Sequence, residues 1–204
     1  MRYICHMLTL PALPAPLEWL NAPAAFANDA QQFTLTAGGL TDWFIDPSGA
    51  TAKTNAPAAL FAPPDDAFLL SARITVAFAS TYDAGVLALY ERDDCWAKLC
   101  FEYSPQRQPM VVSVVTRGAS DDCNSTVIDG RTVWLRLYRN GPALALHYSQ
   151  DGAYWHLVRH FTLGPLARPR IGFLAQSPTG SSCTATFDSI AYRSGTLADL
   201  RNGE

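Results

Sequence analysis

The chain has 204 residues, 49% of them hydrophobic and 16% charged, a balance that excludes disorder and suits one domain with a sizeable core. Its net charge of −3 supplies no concentrated basic face of the kind that nucleic-acid binders display. No apolar run approaches the roughly 18 residues needed to cross a bilayer, so no membrane partner is expected.

Residues 1–16 read as an N-terminal extension, in which Pro11, Pro14 and Pro16 break up the apolar stretch that an export signal requires. Cys5, Cys95, Cys100, Cys123 and Cys183 are odd in number and scattered, which fits free, mostly buried thiols in a reducing cytoplasm. The span 17–193 reads as one domain, followed by a tail at 194–204. Its opening is rich in Pro and Ala, with Leu17–Leu20 a candidate edge strand.

Short alternating segments then follow: Gln32–Ala37, Thr41–Asp46, Ala67–Phe78, Gly85–Glu91, Cys95–Tyr103 and Met110–Arg117. They continue as Thr132–Arg139, Ala143–Ser149, Tyr154–Phe161, Arg170–Gln176 and Cys183–Tyr192. Turn signals separate them at Asp93-Asp94, Asn140-Gly141-Pro142 and Asp151-Gly152. In Ala67–Phe78 the residues Phe68, Leu70, Ala72, Ile74, Val76 and Phe78 share one parity, which marks a strand with one buried face. Many short strands without a long amphipathic helix predict an all-β sandwich or jelly roll.

Two segments place chemistry on the parity opposite an aliphatic face. Trp96, Lys98, Cys100 and Glu102 share one side of Cys95–Tyr103, and Trp134, Arg136 and Tyr138 share one side of Thr132–Arg139. Placed in one sheet, these would form a surface of aromatics and charges suited to sugars, with Trp96 or Trp134 stacking, Lys98 and Arg136 contacting anionic or hydroxyl groups, and Glu102 accepting hydrogen bonds. The bland alternative is that they are outward alternates, with Arg stems covering Trp rings. Glycoside hydrolysis needs two carboxylates, and Glu102 is the best placed of only four glutamates. Beside Lys98, however, it is expected to stay ionised, which suits a ligand contact better than a general acid. Asp188 is a candidate oxygen ligand for a structural calcium ion; no other cofactor is indicated.

The order Thr41-Asp42-Trp43-Phe44, Tyr82-Asp83-Ala84-Gly85, Trp96-Ala97-Lys98 through Glu102 and Ser113-Val114-Val115-Thr116 resembles the regulation-of-enolase-protein family. Tyr148 through Gly152, Trp155, Arg159 and Gln176-Ser177-Pro178 continue the resemblance, which spans roughly Leu17 to Tyr192. It implies a concanavalin A-like jelly-roll sandwich of two antiparallel sheets. It also adds Asp42, Trp43, Tyr82, Asp83, Ser113, Thr116 and Asp121 to the ligand-binding candidates. Two departures stand out: Cys100 occupies a place where the family pattern implies a small residue, and Asp122 follows Ser120-Asp121 where it implies an aromatic. The second would make the cleft altered or more polar. The expected function is a non-catalytic module binding a saccharide or sugar phosphate. The alternatives are a carbohydrate-active enzyme using Glu102 with an Asp, and a regulatory domain that docks another protein.

Overall fold

The apolar parity of Ala67–Val76 does what its sequence dictates: Phe68, Leu70, Ala72, Ile74 and Val76 all lie in the main core. A computed structural model describes residues 8–29 and 31–204, and every regular element in them is a strand. In chain order these are β1 (Glu18–Asn21), β2 (Ala25–Asn28), β3 (Gln32–Gly38), β4 (Trp43–Ile45), β5 (Ala52–Thr54) and β6 (Ala58–Phe61). They continue with β7 (Ala67–Val76), β8 (Ala84–Arg92), β9 (Cys95–Tyr103), β10 (Pro109–Arg117) and β11 (Ala119–Val127). The last five are β12 (Thr132–Asn140), β13 (Ala143–Ser149), β14 (His156–Phe161), β15 (Arg170–Gln176) and β16 (Ser182–Ser194).

Two seven-stranded antiparallel sheets form the sandwich. The first runs β1-β6-β15-β8-β9-β10-β11 and the second β14-β13-β12-β7-β16-β3-β2, while β4 and β5 pair as a separate hairpin. The inner faces of both sheets supply the main core, which includes Phe33, Leu35, Leu99, Phe101, Leu135, Leu137, Phe173 and Phe187. At Gly85 on β8 the sheets approach so closely that a Cβ would lie 2.7 Å from Ile74 and 2.9 Å from Ala185, so only glycine fits without displacement.

The first sheet is buried on its outer face as well. There Ala84, Val86, Ala88, Tyr90, Trp96, Cys100, Val112 and Val114 make a second apolar cluster, which the β4–β5 hairpin helps to cover through Trp43 and partly buried Phe44 and Ile45. The Trp43 ring lies 5.7 Å from Trp96 and 5.5 Å from Tyr90, and its Nε1–H donates to the Ala56 carbonyl at 3.1 Å. The second sheet carries a smaller outer cluster of Leu69, Tyr138 and Ala145, packed by Leu197 and Leu200 of the C-terminal tail. At the other end, Leu8 bridges to Leu17, and Leu10 enters the main core. Cys5 and the rest of residues 1–7 lie outside the described residues. Of the four described cysteines, all free, Cys95, Cys100 and Cys183 are buried and Cys123 is exposed.

Candidate functional site

The outer face of the first sheet holds a cleft of about 210 Å³, bounded by Asp42, Phe44, Tyr82, Lys98, Glu102, Val114, Asp122 and Gln176. Strand register explains the depression. Gln176, Ala84 and Glu102 lie in one cross-strand row, and Ala88, Lys98, Val114 and Asp122 in another. Alanine at both β8 positions leaves room between the longer polar side chains.

The floor is a fixed hydrogen-bond relay. Lys98, 2% exposed, donates from Nζ to Gln176 Oε1 at 2.8 Å and to Asp42 Oδ1 at 3.1 Å. Gln176 Nε2 donates to the Tyr82 carbonyl at 3.1 Å and approaches Glu102 Oε2 at 3.5 Å. Burial is the largest single influence and opposes the Lys98 charge, but Asp42, Cys100 and Glu102 together outweigh it and raise the lysine pKa. For Glu102 the balance falls the other way. Burial pushes its pKa up to about 8 despite the opposing pull of Lys98, so its carboxyl is mainly protonated at neutral pH. The expectation that the neighbouring cation would keep Glu102 ionised is therefore corrected: desolvation dominates. Asp122 is also raised, first by burial, with Lys98 opposing.

One wall is aromatic. Tyr82 is 40% exposed, and its backbone adopts φ 68°, a left-handed conformation unusual for a bulky residue. Asp83 builds the loop that holds it there: Oδ2 accepts from the amides of Ala79 and Ser80, and Oδ1 accepts from Ser177 Oγ at 2.7 Å. Reciprocal bonds between Thr41 and Ser177 fix the strand entry beside Asp42.

The sequence-derived candidates therefore divide. Asp42, Tyr82, Lys98 and Glu102 meet in the cleft. Asp83 is fully buried and shapes the loop. Trp43 and Trp96 are 0% exposed, so neither offers a ring face to a ligand; both are core beneath the hairpin. Thr116 shares a hydrogen bond with Ser120, whose Oγ accepts from the Ile45 amide at 2.9 Å, tying the β10–β11 hairpin to β4. Ser113 has the inward parity, opposite Leu99, and its buried Oγ has no protein partner. Asp121 turns away from its neighbour Asp122 to pair with Arg159 at 2.7 Å.

Trp134 and Arg136 do not join this surface, because β12 belongs to the second sheet. Trp134 packs beneath the turn at Gly152, and Arg136 lies 4.1 Å over the Trp155 ring under the C-terminal tail. Period-two parity alone cannot assign two strands to the same sheet, which is why they appeared to share a face. Asp188, the calcium candidate, pairs with Arg73 at 2.7 Å. Among the described residues no cluster of three or more His, Cys, Asp or Glu is arranged to hold a metal ion. Phe44, Asp122, Gln176 and Val114 were missing from the sequence-derived set. The signal for the second was the departure at Asp122, where the family resemblance implies an aromatic; Asp122 lines the cleft.

Residues 19–195 match the family model described as protein of unknown function (DUF1349). The chain is 29% identical over 160 residues to "Regulation of enolase protein 1" of Saccharomyces cerevisiae, covering 73% of this chain and 79% of the yeast protein. A crystal structure of a functionally unknown S. cerevisiae protein superposes with a TM-score of 0.80 at 25% identity, covering 88% of this chain and 96% of that one. The fold is also similar to the GH43 protein BlXynB of Bacillus licheniformis, with a TM-score of 0.68 at 14% identity over 88% of this chain but only 37% of that one. The carbohydrate-binding module CBM66 of Bacillus subtilis matches with a TM-score of 0.56 at 13% identity, over 86% and 95% of the two chains.

Proposed function

The chain belongs to the family of proteins of unknown function (DUF1349), and from the geometry of its cleft we propose that it is a non-catalytic carbohydrate-binding module. The observation that carries the reading is Tyr82: an exposed ring, held in a costly backbone conformation, beside a floor of immobilised donors and acceptors. Sugars present apolar faces to such rings and hydroxyls to such groups, and a prepositioned floor reduces the ordering cost of binding. The carbohydrate-binding module among its structural neighbours supports the reading at the level of fold. The free thiols suit a cytoplasmic setting.

One observation favours a second reading, a carbohydrate-active enzyme. Glu102, kept protonated into the neutral range, and the ionisable Asp122 are two carboxyls in one cleft, the pairing that acid–base chemistry on a glycosidic bond uses. In that reading Glu102 donates the proton.

A thermal-shift panel of mono- and oligosaccharides tests the binding reading. At a hundred times its dissociation constant a specific ligand stabilises by about 2.7 kcal/mol, or several degrees. The shift is expected in wild type and lost in a folded Tyr82→Ala variant; a flat panel contradicts the proposal. Product formation from a binding saccharide that disappears in Glu102→Gln would favour the enzyme.

A further inference from the structure

Resting on the cleft as the binding site, we propose that it selects uncharged glycosyl groups and rejects phosphorylated or carboxylated ones, with Asp122 setting that selection. Among the described residues the only cation lining the cleft is Lys98. An ammonium has three N–H donors, and two of these are already committed, to Asp42 and Gln176. Its charge is matched by Asp42 at 3.1 Å, leaving no free positive charge for a phosphate or carboxylate.

The chain has thirteen arginines, yet among the described residues no arginine lines the cleft. Oxyanion sites are ordinarily built from guanidinium forks or from the backbone amides at a helix N-terminus. The described fold has no helix to supply the second.

Asp122 adds the repulsive element. It stands on the edge strand β11 in the same row as Val114 and Lys98, roughly 10 Å from the lysine backbone across two strand spacings. Among the described residues no basic side chain forms a salt bridge with it. With Asp42 spent on Lys98, an ionised Asp122 leaves the lining with a net negative charge. A ligand hydroxyl can donate to that carboxylate and accept from the protonated Glu102, whereas an anion meets like charge in a partly desolvated pocket. Selection by such repulsion is as effective as selection by added contacts.

The probes are methyl glucoside, galactoside, xyloside and fructoside, each titrated calorimetrically at pH 7 beside the corresponding sugar phosphate, with glucuronate and galacturonate included. Wild type is expected to bind each anionic form at least tenfold more weakly than its neutral counterpart, with the gap narrowing at high salt. Asp122→Asn should narrow the gap about tenfold at constant salt. Anionic forms that bind wild type as tightly as neutral ones overturn the inference while leaving the cleft reading intact. A gap unchanged in folded Asp122→Asn would overturn the role of that residue. Failure of every neutral glycoside to bind would remove the cleft reading itself, and this inference with it.

Discussion

Asp42 and Lys98, 56 positions apart, form a 3.1 Å ion pair in which the lysine side chain is 3% exposed and the aspartate 17%. The hairpin entry thus supplies the counter-charge for a lysine rising from the floor of the first sheet. Asp42→Ala strands a buried ammonium and should cost about 3 kcal/mol in chemical denaturation. Adding Lys98→Met should recover most of that loss. A single-mutant cost below about 1 kcal/mol would mean that Lys98 is solvated in the native state.

Trp96 is core, so Trp96→Ala should behave as a large-to-small core substitution. The expected loss is about 4 kcal/mol, from the emptied volume against Trp43 and the lost Nε1–H bond to the Asp93 carbonyl. Urea unfolding measures it. A near-neutral variant would instead place the ring at the surface.

Glu102 gives stability a pH signature. Its folded pKa, about 8, lies above the ordinary value of 4.5, so the native state holds the proton more tightly than the unfolded chain. The contribution is complete below about pH 4.5 and is lost as pH rises through about 8, on the order of a few kcal/mol in all. The raised Asp122 acts in the same direction. Denaturation between pH 5 and 9 should show wild type weakening toward alkaline pH, with Glu102→Gln flattening that decline. Parallel profiles for the two proteins would contradict the assignment.

Two buried polar groups without protein partners should be dispensable to the cleft. Ser113 Oγ faces the core, and Nε and Nη2 of Arg136 are unpaired beneath the tail. Ser113→Ala should be neutral or stabilising by about 1 kcal/mol, since an unmade hydrogen bond is removed. Arg136→Met should likewise not destabilise, because it deletes a buried charge that lacks a counter-ion. Neither substitution should alter saccharide affinity. A loss of binding in Ser113→Ala would return that residue to the site.

The two-sheet sandwich was legible because alternation, as in Ala67–Val76, reports directly on one buried face. Strands β6 and β11 were not legible. Ala58–Phe61 is a short run buried throughout, and Ala119–Val127 is a polar edge strand that exists through its pairing with β10. Gly118, with φ 81°, makes the turn between that pair. Lys98, Glu102, Asp42 and Tyr82 could be picked out because charges and an ordered motif series stand out in a chain of short apolar strands. Trp96 and Trp134 misled for one reason: parity says which residues share a side of their own strand, but not what covers that side. A hairpin formed by Trp43–Ile45 and Ala52–Thr54 covers one, and the turn at Gly152 the other.

The most direct test of the cleft as the ligand site is residue-resolved amide NMR during titration with the saccharide that gives the largest thermal shift. The account predicts saturable perturbations centred on Tyr82, Glu102, Asp122 and Gln176, with none at Trp134, Tyr154 or the C-terminal tail on the other sheet. Perturbations centred on the Trp134 face, with the cleft silent, would contradict it.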